Sequence, residues 1–178
     1  MNNEHLIATK KLHDSLKAIM DDPYVRMTFM KSFPTVELQP SDLLFIEPLR
    51  FMAYIADADG EVSQREVNII NYITGRYLSL SELNELIDND RHFYIETMPE
   101  VPMLLRLLCE MENILFKNGK NLEDSVLGIV IKYFEALGIL ISDADGRCSS
   151  LEQRRIDMYI AELKEYALEN TLSPFFVD

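Results

Sequence analysis

Apolar side chains return every three or four residues along nearly the whole 178-residue chain and rarely alternate with period two. This spacing predicts an all-α fold. A first helix is expected from Glu4 to about Asp21, with Leu6, Leu12, Leu16 and Ile19 on one side, until Asp21-Asp22-Pro23 interrupts it. A short second helix holds Tyr24 to Phe33. Pro34 and Pro40 then flank PTVELQP, which cannot be a continuous helix because the proline ring blocks the preceding turn. The chain therefore divides into an N-terminal helical extension, residues 1–40, and a main helical domain, residues 41–178.

In the main domain a helix starts at Ser41, a plausible N-cap, and runs through Leu43, Leu44, Ile46, Leu49, Phe51, Met52 and Ile55, with a kink expected at Pro48. The next carries Val67, Ile70, Ile73 and Tyr77 on one stripe, and a shorter one follows through Leu80, Leu83, Leu86 and Ile87. Periodicity fails between Asp88 and Pro102, which predicts a loop. Two strongly apolar helices come next, about Val101 to Phe116 and Leu122 to Ile141, with Asn118-Gly119 as the stop between them. The second is apolar enough to lie at the centre of a bundle, while Lys132 and Glu135 argue against a membrane span. A last helix holds Ile156, Tyr159, Ile160, Leu163 and Ala167, and the tail SPFFVD is expected to dock its two phenylalanines on the body.

One pattern recurs. IADADGEVSQRE (Ile55–Glu66) and ISDADGRCSSLE (Ile141–Glu152) share Asp-x-Asp-Gly with Ser three residues and Glu six residues after the glycine, 86 positions apart. Laid on an EF-hand calcium loop with Gly60 at the sixth position, Asp57, Asp59, Ser63 and Glu66 fall at the third, fifth, ninth and twelfth. Asp143, Asp145, Ser149 and Glu152 do the same in the second copy. The first position is Ile55 or Ile141, and an apolar side chain there cannot coordinate a hard cation. Helix capping explains much of the pattern without any ion: Ser63 with Glu66 and Ser149 with Glu152 are capping boxes, and each glycine supplies a positive φ. It leaves unexplained why two acids recur at the same offset, since like charges so close repel.

Charge narrows the partners. The net charge is −13, yet residues 1–40 hold five acidic and five basic side chains, so all of the excess lies after residue 40. Such a surface repels phosphate backbones and attracts cations and basic proteins, which argues against nucleic-acid binding. A hydrophobic fraction of 48% with only 6 Gly and 7 Pro excludes a disordered or low-complexity chain. The two cysteines, Cys109 and Cys148, lack metal-ligand spacing and suit a reducing, cytoplasmic setting, and no apolar window is long enough for direct membrane insertion.

Helix, ADADGEVSQRE, helix resembles the signature of the TerB-like domain, seen in tellurite-resistance proteins and in the N-terminal region of some membrane-anchored J-domain co-chaperones. SDADGRCSSLEQRRIDMYI resembles that domain's other internal repeat, and the likeness in organisation covers roughly residues 41–170. The resemblance implies a bundle with two pseudo-repeated helix-turn-helix halves. It also implies acidic surface clusters that bind metal, and a role in bacterial stress-response assemblies near the membrane. By position the implied metal residues are Asp57, Asp59, Glu61 and Glu66 in one half and Asp143, Asp145 and Glu152 in the other, for a divalent cation such as calcium or magnesium. Arg147 departs from the pattern, standing where the first copy has Glu61.

Enzymatic readings find little support. His5 and His13 are eight residues apart on one predicted helix, too far to form a joint metal site, and are expected to be solvated. Cys109 reads as a core residue, and Cys148 lacks a neighbouring base. His92 reads as a loop residue among acids. Two functions remain. One is a non-enzymatic adaptor or chaperone that offers its acidic face to protein partners, including a membrane-associated complex, with divalent cations as modulators. The other is a dedicated divalent-cation sensor or buffer of the tellurite-resistance type.

Overall fold

The computed structural model describes residues 3–98, 100–119, 125–144, 146 and 148–172. Among these residues there are eight α-helices and no strand: α1 (Asn3–Met20), α2 (Pro23–Ser32), α3 (Pro40–Ala56), α4 (Gln64–Thr74), α5 (Leu80–Asn89), α6 (Met103–Lys117), α7 (Val126–Ser142) and α8 (Ser150–Asn170). A 3-10 turn, Asp57–Asp59, follows α3, and a π-helical turn, His92–Glu96, follows α5. The SPFFVD tail lies outside the described residues.

The hydrophobic centre is the packing of α3 against α7, with α1, α6 and α8 arranged around α7. Phe51 of α3 meets Phe134 of α7 edge-on at 5.4 Å and stacks on Tyr159 of α8 at 4.6 Å between ring centroids. Such pairs add to the gain from burying the rings themselves. α7 and α8 are close at Gly138, where an added Cβ would lie 3.0 Å from Ile156. The N-terminal helices share this core: Leu16, Met20, Val25 and Phe29 are buried within it. The proline-flanked stretch connects α2 to α3, and buried residues on both sides of it belong to one cluster.

Two buried glutamates join helices end to side. The Glu47 carboxylate of α3 accepts the first N–H groups of α6, from Met103 at 2.5 Å and Leu104 at 3.0 Å. Glu112 of α6 does the same for α7, where Oε2 accepts from Val126 N at 3.0 Å and from the Ser125 hydroxyl at 3.1 Å. A helix leaves its first N–H groups unpaired, so a carboxylate from a neighbour satisfies them and meets the positive end of the dipole.

Several local expectations change. α3 begins at Pro40, with the Gln39 N–H bonded to Asp42, and runs through Pro48 to Ala56 as one helix. α4 stops at Thr74 because Gly75 adopts φ 71°, which leaves Tyr77 outside the helix and 97% exposed. The expected loop after Asp88 contains the π-helical turn. Its Thr97 N–H bonds the His92 carbonyl, and Arg50 holds it from α3 through the Phe93 carbonyl, the Thr97 hydroxyl and a cation–π contact 4.2 Å from the Phe93 ring centre. Tertiary contact, which has no periodic signature, supplies that order. His13 is buried rather than solvated, with Nδ1 2.8 Å from the Tyr133 hydroxyl of α7.

Candidate functional site

Both Asp-x-Asp-Gly segments connect two helices and, among the described residues, share the glycine bond and the serine–glutamate cap. At the first, Gly60 has φ 86° and its N–H bonds the Asp57 carbonyl at 3.1 Å; at the second, Gly146 has φ 76° and bonds the Asp143 carbonyl at 3.1 Å. Only glycine adopts such a backbone without strain. The capping boxes are equally matched. Glu66 Oε2 accepts from Ser63 N at 2.6 Å, and Glu152 Oε2 accepts from Ser149 N at 2.6 Å. Both carboxylates are turned back into the caps and are buried, at 4% and 6% exposure.

The implied metal residues therefore have different roles. Glu66 and Glu152 cap the starts of α4 and α8. Asp59 Oδ1 accepts the Glu61 N–H at 3.1 Å, closing the turn on itself. Glu61 and Asp143 are exposed. Asp145 lies outside the described residues. Asp57 is bound most firmly, with Arg91 donating to both oxygens at 3.3 and 3.1 Å in a two-pronged pair. Arg155 of α8 places Nη1 3.7 Å from Oδ2, bonds the Tyr54 carbonyl and lies 4.5 Å over the Tyr54 ring. Two guanidinium groups thus occupy the carboxylate that a calcium loop would turn to its ion, and they tie the first turn to α8 and to the segment after α5. Among the described residues no three His, Cys, Asp or Glu side chains are grouped to hold a metal ion.

Beside the first turn lies an open polar cleft of about 460 Å³. Asp57 and Glu61 line it from the turn, Asp88 and Asn84 from α5, and Gly60, Val62 and Ile87 complete its wall. Three acidic residues from two segments of the chain line it. Asp88 and Asn84 could not be assigned to this site from the sequence, nor could Arg91 and Arg155 be matched to Asp57, because these neighbours come from distant parts of the chain.

The groups that could do chemistry are disposed otherwise. Burial pushes the Cys109 thiol up to about 11, and the nearby Glu112 charge adds to the effect. Such a thiol stays protonated and unreactive. Cys148 is exposed, with Sγ 3.6 Å from Gln153 Oε1. Burial lowers His13 to about 4, and exposed His92 pairs with Glu96 at 3.3 Å. Among the described residues, no helix is long and apolar enough to cross a membrane. Comparison of this chain with protein families, curated proteins and solved structures finds no match.

Proposed function

We propose that the protein is a non-enzymatic helical adaptor of TerB-like type whose acidic face takes a basic segment of a partner protein. The observation that carries this reading is the cleft that Glu61 and Asp88 line beside Asn84, with Asp57, already paired to Arg91 and Arg155, in its wall. It is open and polar, and a lysine or arginine side chain can bring its own hydration and hydrogen bonds there without being stripped like a bare ion. The Arg91 and Arg155 contacts fix the cleft wall from two sides, so little ordering is left to the moment of binding. The charge of −13 draws basic partners toward it. Stress-response assemblies near the membrane, implied by the resemblance, are the expected setting.

The dedicated cation sensor is the weaker reading, since Asp57 already meets two guanidinium groups and Glu66 and Glu152 are committed to caps. A nuclear magnetic resonance titration with a lysine- and arginine-rich peptide tests the adaptor. Shifts should centre on residues 57–62 and 84–88, weaken with salt and disappear in Glu61→Lys/Asp88→Lys. Shifts elsewhere, or binding unchanged by that double reversal, would defeat the reading. Thermal unfolding with millimolar calcium or magnesium tests the alternative. A rise in midpoint lost in both Asp57→Asn/Asp59→Asn and Asp143→Asn/Asp145→Asn would favour the sensor.

A further inference from the structure

α8 has two faces with different fates. Glu152, Ile156, Tyr159, Ile160, Leu163 and Ala167 are buried against the body. On the opposite side, Leu151, Arg154, Met158, Ala161, Glu165 and Leu168 are all exposed and are spaced alternately three and four residues apart. That is the a/d spacing of a coiled-coil seam, and the buried residues occupy the b, c and f positions behind it. Leu151 is 51%, Met158 45% and Leu168 52% exposed, on a helix of 21 residues. Three large apolar side chains thus lie along one outward line, with Arg154, Ala161 and Glu165 between them.

We propose that this line is covered by α8 of a second copy of this chain, packed antiparallel across a two-fold axis. The register follows from the residues. With the axis level with the midpoint between Tyr159 and Ile160, Leu151 faces Leu168 of the second copy, Arg154 faces Glu165, and Met158 faces Ala161, each contact occurring twice. Every seam position then meets a complement: apolar with apolar, cation with anion, long with short. Sliding the helices by one heptad sets Arg154 against Leu172 or Met158, according to the direction, and Glu165 against Ala161 or beyond the start of the second α8. A parallel in-register pair sets Arg154 against Arg154 and Glu165 against Glu165. Only the antiparallel register uses both charges.

The neighbouring surface continues the match. A groove of about 390 Å³ runs between α7 and α8 beside Ala161, with half-exposed Ile139 on its far side. Met158 of the second copy, set opposite the small Ala161, reaches this groove with a flexible side chain suited to filling it. Along the same edge Asp157 lies near Lys164 of the second copy, the g-to-g relation of antiparallel coils, and Lys164 is already 3.7 Å from Glu135 of its own α7. This dimer does not depend on the function proposed for the acidic cleft at the first turn.

Sedimentation of the full chain over a range of concentrations tests the proposal, with circular dichroism as the folding control. The wild-type protein should be dimeric. Arg154→Glu and Glu165→Arg each place like charges opposite one another twice, and each should weaken association roughly 100-fold or more. Mixing these two variants restores both opposite-charge pairs, so the mixture should dimerise again, as should the double variant Arg154→Glu/Glu165→Arg. A monomeric wild-type protein at hundreds of micromolar would overturn the proposal. So would a dimer indifferent to the single reversals, or a mixture that stays monomeric.

Discussion

Glu47 offers the most direct test of how the helices are joined. Its carboxyl is 7% exposed on α3 and accepts the Met103 and Leu104 N–H groups at the start of α6. Burial raises its pKa from 4.5 to about 7, against the opposing pull of those two bonds and of Arg50 and Arg106. A carboxyl raised in this way holds its proton more tightly when folded. The associated stability is full below 4.5 and is lost as pH rises through about 7. At ~1.4 kcal/mol per pKa unit, the change is about 3 kcal/mol between those limits. Glu47→Gln keeps the shape and one acceptor oxygen but cannot ionise. Urea unfolding of both proteins from pH 4.5 to 8.5 should therefore show wild-type stability falling relative to the variant by about 3 kcal/mol. A constant difference would refute the reasoning. A difference that grew with pH would mean that the two backbone N–H bonds outweigh burial and hold the carboxylate ionised.

Other substitutions separate packing from backbone effects. Gly138→Ala brings a Cβ to 3.0 Å from Ile156 and should destabilise by about 1 kcal/mol net of the helix-propensity gain, whereas Gly128→Ala, with open space around it, should stabilise by up to about 1 kcal/mol. Thermal unfolding of the pair distinguishes them, and equal shifts would discount the close approach. Glu112→Ala strips the Val126 N–H and the Ser125 hydroxyl of a buried acceptor and should cost roughly 2–4 kcal/mol in urea unfolding. His13, lowered to about 4, stabilises the fold fully above 6.5 and loses that contribution as pH falls through about 4. His13→Gln should flatten the acid limb of the unfolding profile over that interval.

The all-α class and most helices were legible because an amphipathic helix writes its buried face into the spacing of its residues. α7 announced its central place through a run of apolar residues, and both capping boxes could be read letter by letter. What could not be read depends on side chains meeting across the fold. Nothing near Glu47 or Glu112 in sequence shows that their carboxylates will cap other helices. Nothing in HFYIE shows that Arg50, from α3, will sit over Phe93 and hold a π-helical turn. His13 looked solvated because its helix carries many polar residues, but it faces Tyr133 across the packing of α1 on α7.

The two turns sharpen the distinction. Among the described residues both have a glycine at positive φ and a serine–glutamate cap, because each of these features is encoded within a dozen residues. Their leading aspartates nevertheless differ: Asp57 is held between Arg91 and Arg155, while Asp143 is exposed. Among the described residues the repeat thus carries its cap twice and a charged contact once, because the contact also requires what the fold brings alongside it. Asp57→Asn tests this directly. Removing the charge from a two-pronged pair at a side chain 12% exposed should cost about 1–3 kcal/mol, and Asp143→Asn should stay within about 0.5 kcal/mol of wild type. Equal effects in thermal unfolding would mean that both aspartates serve only the turn, leaving the Arg91 and Arg155 contacts without weight in stability.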